Sequence, residues 1–170
     1  ITVQRQKVGH GGTMDPLARE VLPVCFGQAT RLMEYLVNGN KRYMMDIALG
    51  VTTSTYDAEG EVVKTGDGSV VTLQAVESEL EAFVGNILQT PPMYSAIKVG
   101  GQRLYKLARA GLEVEREARP VEIHSIRIVE MASPKLTLDV ECGRGVYMRS
   151  LAHDLGEALG CGAHVSDLVR

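Results

Sequence analysis

The sequence lacks the features of secreted, disulfide-rich and membrane proteins. Its three cysteines, Cys25, Cys142 and Cys161, are widely separated, odd in number and show no CxxC spacing, which argues against a disulfide framework and a zinc site. We expect all three to pack in the core of a protein kept in a reducing compartment. No apolar run approaches membrane-spanning length, and no signal peptide pattern is present. These absences predict a cytoplasmic protein without membrane contacts.

An excess of positive charge is also absent, since the 170 residues carry a formal net charge of −3. The charge is nevertheless segregated along the chain. Residues 1–45 and 91–119 each carry six Lys or Arg against three acids, whereas residues 46–90 carry one against eight. The two basic segments could form one face that binds nucleic acid. The alternative is a mixed, solvated surface, because like-charged segments need not meet in space.

Internal repeats, low-complexity segments and a regular βαβ alternation are missing as well. With 45% hydrophobic residues, the chain can bury the core of one globular domain. Apolar spacing predicts strands over 21–26, 42–49, 61–64, 121–131 and 135–142, and helices over 28–37, 72–84 and 148–159. The alternation slips near His124 and Ser125, which predicts a β-bulge. The pattern indicates an α+β domain with a mixed, largely antiparallel sheet flanked by helices.

Asp15 lies in a loop built almost entirely from small residues, Val8-Gly9-His10-Gly11-Gly12-Thr13-Met14-Asp15-Pro16. The glycines have no Cβ to block a ligand, and Pro16 pushes Asp15 out of helical geometry into extended or turn backbone. The loop could therefore present one carboxylate to a bulky ligand. An ordinary flexible turn is the alternative.

Four further polar residues are candidates for chemistry: Tyr43, Asp57, Tyr147 and Arg149. A carboxylate nucleophile must be ionised and aimed, and a nearby Arg favours the charged form while fixing its orientation. Arg149 falls in the first turn of the last predicted helix and is the candidate partner of Asp15. A simple salt bridge at the start of a helix is the alternative.

Residues 90–120 mix aromatic and cationic side chains. Six of them are candidate RNA contacts: Tyr94, Lys98, Arg103, Tyr105, Lys106 and Arg109. Such a segment can place charged groups on phosphates while its rings stack on bases. The alternative is a surface hairpin and a short helix that packs inward through Leu104, Leu107 and Ala108.

Several ordered blocks of the sequence resemble the TruB family of tRNA pseudouridine synthases. The blocks are Gly-His-Gly-Gly-Thr-Met-Asp-Pro-Leu-Ala from position 9, Gly27-Gln28-Ala29-Thr30, Lys41-Arg42-Tyr43, and residues 53–60, 91–98, 145–150 and 159–164. Any one block would be weak, but agreement over this many blocks in order is specific.

The resemblance implies the pseudouridine synthase fold and isomerisation of the T-loop uridine of tRNA, at position 55, without cofactor or metal. Asp15 would be the nucleophile, paired with Arg149. Tyr43 would stack on the flipped base and could help remove the final proton, while His10 would take the space that the uridine leaves. Asp57 would belong to the active-site network.

The resemblance also implies that Tyr147 and Leu168 line the pocket and that residues 90–120 form a thumb that grips RNA. Because Ile1 is not a methionine and the chain stops at Arg170 directly after an apolar stretch, we expect residues 1–170 to be a fragment. It would be a catalytic domain without the family's N-terminal Lys-Pro strand and C-terminal PUA domain.

The expected partner is the T arm of tRNA, bound by a monomer. Two other readings stay open. One is the guide-RNA-dependent catalytic subunit of H/ACA particles, against which the thumb-like segment argues. The other is a non-catalytic tRNA-binding or tRNA-folding module.

Overall fold

A five-stranded antiparallel sheet forms the centre of the computed structural model, which describes residues 7–13 and 15–170. The strands, numbered along the chain, follow one another across the sheet as Ala163–Val169 (β11), Lys41–Leu49 (β3), Lys135–Cys142 (β10), Arg119–Ala132 (β9) and Gly85–Gln89 (β6). The predicted α+β class and antiparallel sheet are confirmed. Predictions that concern residues 1–6 or Met14 lie outside the described residues.

Three pairs of short strands lie beside the main sheet. They are Val8–His10 (β1) with Val24–Phe26 (β2), Val51–Thr53 (β4) with Val62–Thr65 (β5), and Lys98–Val99 (β7) with Gln102–Arg103 (β8). A strand was predicted over residues 21–26, but β2 begins only at Val24. The strand is shorter than predicted because Pro23 has no N–H for a ladder. The Pro23 carbonyl instead accepts a hydrogen bond from the Gly11 N–H at 2.8 Å.

Four α-helices and three 3₁₀ turns complete the described chain. The α-helices are Met33–Asn38 (α1), Leu73–Leu80 (α2), Leu104–Arg109 (α3) and Met148–Ala158 (α4), and the 3₁₀ turns are Gly27–Leu32, Gly68–Val70 and Glu81–Phe83. The predicted cap of α2 is confirmed, since Thr72 Oγ1 accepts a hydrogen bond from the Ala75 N–H at 3.3 Å. The helix predicted over 28–37 starts as 3₁₀ turns, and its apolar residues Leu32, Tyr35 and Leu36 stay exposed.

The core lies between α4 and one face of the sheet. Strand β3 pairs with β10 so that Met45 faces Leu138 and Ile47 faces Leu136, and all four side chains are fully buried. Burying one such side chain contributes roughly 1.5–3 kcal/mol. Helix α4 presses on β11 at Gly156, where a Cβ would lie 2.2 Å from the Ala163 nitrogen. This packing fixes the first turn of α4 at the end of the sheet.

The bulge predicted near His124 and Ser125 is confirmed. Cys142 of β10 pairs with Ile123, and Glu141 pairs with Ser125, so His124 is the extra residue in β9. A second shift, which the sequence did not predict, leaves Val129 without a direct partner between Ile128 and Glu130. Bulges increase the local twist of a strand pair and let a long edge region follow the curvature of the sheet.

Candidate active site

One cleft of about 980 Å³ gathers residues that are far apart in the sequence. This volume is at the upper end of the range for small-molecule pockets in proteins. The residues of the cleft that carry the site are Asp15, Glu20, Tyr43, Thr55, Asp57, Tyr94, Tyr147, Arg149 and Leu168. Every predicted catalytic residue therefore opens onto the same space.

Asp15 sits at the start of a turn, as predicted. The Ala18 N–H donates to the Asp15 carbonyl at 2.9 Å, and the Asp15 side chain is 20% exposed. Its Oδ2 accepts a hydrogen bond from Arg149 Nε at 2.7 Å. Among the described residues, Oδ1 has no hydrogen-bond partner. One oxygen of the carboxylate is thus held by Arg149, and the other is buried without a described partner.

Arg149 reaches Asp15 from the first turn of α4 and is itself 7% exposed. Its Nη1 donates to the Thr55 carbonyl at 3.1 Å, and its Nη2 donates to the Tyr94 carbonyl at 3.0 Å. A planar guanidinium with this many fixed partners has little freedom to rotate. The Asp15 carboxylate is therefore oriented by a group that is itself held on three sides.

Asp57 supplies the second carboxylate of the site and lies 3.4 Å from Arg149 Nη1. Its Oδ1 accepts hydrogen bonds from the Glu59 N–H at 3.0 Å and from the Thr55 hydroxyl. The loop is fastened to β11, because the Ala58 N–H donates to the Val165 carbonyl at 2.9 Å. Asp57 therefore shares the charge of Arg149 and keeps it in place, while its own oxygens are occupied.

Two tyrosines flank the carboxylate. Tyr43 is 9% exposed at the start of β3, and burial raises its pKa. Burial likewise raises the pKa of the half-buried Tyr147, against the lowering effect of the neighbouring Ser95 side chain. Both phenols are consequently neutral near pH 7. They offer flat, largely apolar faces with a hydroxyl that can exchange a proton.

The basic segment closes one side of the cleft. Tyr94, Arg103, Tyr105 and Arg109 line it, and the guanidinium carbons of Arg103 and Arg109 lie 6.0 and 5.5 Å from the centre of the Tyr105 ring. Lys98 and Lys106 are exposed and lie outside the lining. The predicted hairpin and short helix are present as β7, β8 and α3, so the structural and RNA-binding readings of this segment are compatible.

Two family models match consecutive parts of the chain. A model of the TruB family pseudouridylate synthase N-terminal domain matches residues 1–148. A model of the tRNA pseudouridylate synthase B C-terminal domain matches residues 149–170.

The chain belongs to the TruB family.

Curated TruB relatives match almost the whole chain. Proteins named tRNA pseudouridine synthase B from Dehalococcoides mccartyi and Actinobacillus pleuropneumoniae are 51% and 50% identical over 98% of it. One from Haemophilus influenzae is 49% identical over the same share. The chain spans about half the length of these relatives, 55%, 54% and 53% respectively.

Solved structures show the same fold. A chain of a Cbf5–Nop10–Gar1 complex is 31% identical with a TM-score of 0.70, and covers 96% of this chain and 39% of its own length. A chain of an H/ACA RNP bound to a substrate RNA containing 2′-deoxyuridine is 29% identical with a TM-score of 0.66. That match covers 96% of this chain and 38% of the other. The predicted pseudouridine synthase fold is confirmed by these neighbours.

The TruB resemblance assigns both Leu168 and His10 to the site, but only Leu168 lines the cleft. Leu168 is 3% exposed and lines the cleft. His10 is exposed and lies outside the lining, with its Nδ1 in contact with the Gly12 carbonyl. His10 therefore does not line the cleft that Asp15 opens onto.

The sequence did not predict the polar residues that hold Tyr147 and the first turn of α4 in place. The Gln89 side chain accepts a hydrogen bond from the Tyr147 N–H at 2.8 Å and donates one to the Tyr147 carbonyl at 3.0 Å. Next to it, the Ser150 hydroxyl donates to the Thr90 carbonyl at 2.7 Å. Nothing in the local sequence distinguishes Gln89 from a surface glutamine. Glu20, which lines the cleft, was missed for the same reason.

In the part of the chain that the structure describes, no group of three His, Cys, Asp or Glu side chains could hold a metal ion. No described helix has the length and apolar character needed to cross a membrane.

Proposed function

We propose that this chain isomerises the T-loop uridine of tRNA, at position 55, to pseudouridine, with Asp15 as the nucleophile. The observation that carries the proposal is the Asp15 carboxylate, which lines the cleft and is oriented by a hydrogen bond from the buried Arg149. Membership of the TruB family and the name tRNA pseudouridine synthase B of its relatives support the reaction.

The reaction is an isomerisation and needs no added atoms or electrons. The bond between N1 of uracil and C1′ of ribose breaks, the base turns, and a bond forms between C5 and C1′. The proton on C5 is lost and N1 gains one. We propose that Tyr43 stacks on the base and helps with this proton, and its position in the lining of the same cleft as Asp15 supports this.

The substrate uridine has to leave the base stack of the T arm. Asp15 is 20% exposed at the base of a cleft, and an enzyme cannot bring such a group to a base inside a stacked helix. Flipping a base costs a few kcal/mol, which backbone and stacking contacts offset. Tyr147 and Leu168 then enclose the base, while Asp57 keeps Arg149 in place.

Residues 90–120 are proposed to grip the T arm as a thumb. Arg103, Arg109 and Tyr105 face the cleft, and Lys98 and Lys106 project from the same hairpin and helix toward solvent. Cations of this kind bind phosphates without reading the sequence. His10 is proposed to occupy the space that the uridine leaves. The proposed enzyme is a monomer that acts on tRNA in the cytoplasm.

An unmodified tRNA transcript tests the proposal. The chain is incubated with it, and pseudouridine is mapped by carbodiimide labelling and reverse-transcription stops. We expect one stop in the T loop, and none with Asp15→Asn or with a transcript that carries cytidine at position 55. Binding without a stop in the unaltered protein would leave a tRNA-binding module.

The likeness to chains of H/ACA complexes supports a second candidate, a synthase that needs a guide RNA. The same experiment separates the two. Modification of tRNA without any other RNA or protein supports the stand-alone enzyme. Modification that appears only when a guide RNA and its proteins are added supports the second candidate.

A further inference from the structure

The segment that follows Asp15 is joined to the end of β11 by backbone hydrogen bonds. The Arg19 N–H donates to the Leu168 carbonyl at 2.9 Å, and the Arg170 N–H donates to the Arg19 carbonyl at 2.9 Å. The Val21 N–H adds a bond of 3.2 Å to the Arg170 carbonyl. The aspartate loop therefore takes its position from β11.

Two ion pairs connect the same two segments, and they differ in burial. Arg19 pairs with Asp167 at the surface, where the side chains are 71% and 43% exposed. Glu20 pairs with Arg170 at 2.8 Å, and these side chains are only 2% and 10% exposed. A surface pair contributes little, whereas a buried carboxylate is costly unless a cation stays beside it. Glu20 thus requires Arg170 in this place.

Arg170 touches the site at two further points. Its guanidinium is near enough to Tyr43 to lower the pKa of that phenol, against the larger raising effect of burial. It also passes beneath the aspartate loop, since a Cβ on Gly12 would lie 3.1 Å from Arg170 Nη1. One guanidinium therefore lies beside the loop that carries Asp15 and acts on the proposed stacking tyrosine.

We propose that Glu20 and Arg170 form a positioning pair for the reaction at Asp15. The buried Glu20 carboxylate holds the Arg170 guanidinium between the Tyr43 hydroxyl and the backbone at Gly12, so that Tyr43 and the aspartate loop keep a fixed spacing across the cleft. The role rests on the proposed function, because it concerns the geometry of that reaction. Neither residue contacts the reacting atoms in this arrangement.

Activity measurements test the pair against a matched control. Glu20→Gln removes the charge at nearly constant shape, and Arg170→Lys keeps the charge but loses the planar fork. Arg19→Gln removes the exposed pair between the same segments. We expect the single-turnover rate of pseudouridine formation to fall about 10- to 100-fold in the first two variants, as small misplacements of reacting groups do. Binding of tRNA and the rate of Arg19→Gln should stay near those of the unaltered protein.

A titration of Tyr43 separates positioning from a purely structural role. Burial raises the pKa of Tyr43; Arg170 lowers it, and Cys142 and Glu20, which also face the phenol, raise it. In protein labelled with ¹³Cζ-tyrosine, with the Tyr43 signal assigned by Tyr43→Phe, Glu20→Gln should therefore lower this pKa. Arg170→Gln should raise it, and Arg19→Gln should leave it unchanged.

The turnover rates and the Tyr43 titration can each contradict the positioning pair. A Tyr43 titration that is the same in Glu20→Gln and in the unaltered protein would overturn the positioning pair, and so would an unchanged turnover rate in both Glu20→Gln and Arg170→Lys. If the unaltered protein forms no pseudouridine while the titration shifts as expected, the contact between the pair and Tyr43 stands and the proposed function falls.

Discussion

Two aspartates of this chain are held by arginines in different ways. Asp15 in the cleft has a hydrogen bond to one oxygen, from Arg149 Nε, and a second oxygen without a described partner. Asp139, on the opposite face of the sheet from α4, has both oxygens engaged. Arg42 donates to Oδ1 at 2.8 Å and to Oδ2 at 2.6 Å, and Arg127 also donates to Oδ2.

The burial of the partners is reversed between the two sites. Arg149 is 7% exposed beside Asp15, whereas Arg42 and Arg127 are 66% and 68% exposed beside Asp139. A carboxylate with every oxygen engaged by cations is a stabilising link between strands. A carboxylate that a buried, immobile cation holds by one oxygen is oriented and still able to attack. The comparison supports Asp15 as the proposed nucleophile and Asp139 as a link between strands.

Exchanging each carboxylate for an amide gives the largest expected contrast. Asp15→Asn should reduce pseudouridine formation by more than about 10⁴-fold, the size of loss seen when a nucleophile is removed, while tRNA binding is kept. Asp139→Asn should leave the rate within a few-fold, because Asp139 is remote from the cleft lining. Mapping of the T-loop stop over time measures both. If Asp15→Asn formed pseudouridine at the rate of the unaltered protein, Asp15 would not be the nucleophile.

Replacing the arginine partners of the two aspartates should have a smaller effect on activity. The loss should again be larger at the Asp15 site than at the Asp139 site. Arg149→Lys keeps a positive charge but cannot make the hydrogen bonds to Asp15, Thr55 and Tyr94 together. We expect a loss of about 100-fold in single-turnover rate, the cost of a misplaced reactive group. Arg42→Lys serves as the control and should retain activity. Equal rates in the two lysine variants would contradict the orienting role of Arg149.

The free energy of unfolding should fall in Asp139→Asn, the variant that we expect to keep its activity. Asp139→Asn takes away the link between β3, β10 and β9, but its arginine partners are mostly solvated, so we expect a loss of about 1–2 kcal/mol in the free energy of unfolding. Urea unfolding followed by circular dichroism measures it. Equal stability of Asp139→Asn and the unaltered protein would show that the exposed arginines do not stabilise the sheet.

The pH dependence of this stability gives the smallest and most specific effect. The hydrogen bonds from Arg42, together with those from Arg127, lower the pKa of Asp139 from 3.8 to about 2. A lowered pKa contributes stability that is full above the ordinary pKa and is lost as the pH falls through the lowered one. The difference in unfolding free energy between the unaltered protein and Asp139→Asn should therefore be constant above about pH 5. It should shrink between about pH 4 and pH 2, in urea titrations repeated across that range.

The predictable parts of the fold are those in which local pattern and burial agree. Alternation in β3 and β10 correctly gave their inward faces, and its slip near His124 correctly gave the bulge in β9. Helical spacing predicted a helix over 28–37, and the segment forms a 3₁₀ turn followed by α1, but its apolar residues Leu32, Tyr35 and Leu36 are exposed. Spacing alone does not say whether another element covers a helix face.

Thr137 and Asp139 show a second limit of patterning. Alternation assigns both to the polar face of β10, yet they are 8% and 5% exposed. Their polar atoms are engaged by neighbours on adjacent strands, Asp46 for Thr137 and the two arginines for Asp139. Burial there depends on strand order, which is not written in the sequence of one strand.

The sequence by itself determined the antiparallel α+β class, the aspartate loop and, through motif resemblance, the choice of Asp15, Tyr43 and Arg149. These depend on local spacing and residue type. Only the tertiary structure decided that Gln89 holds Tyr147, that Glu20 and Arg170 meet below the aspartate loop, and that Asp15 keeps one oxygen without a described partner. Each of these contacts joins positions more than 50 residues apart or depends on burial. Strand order and packing bring such positions together, and no local pattern records them.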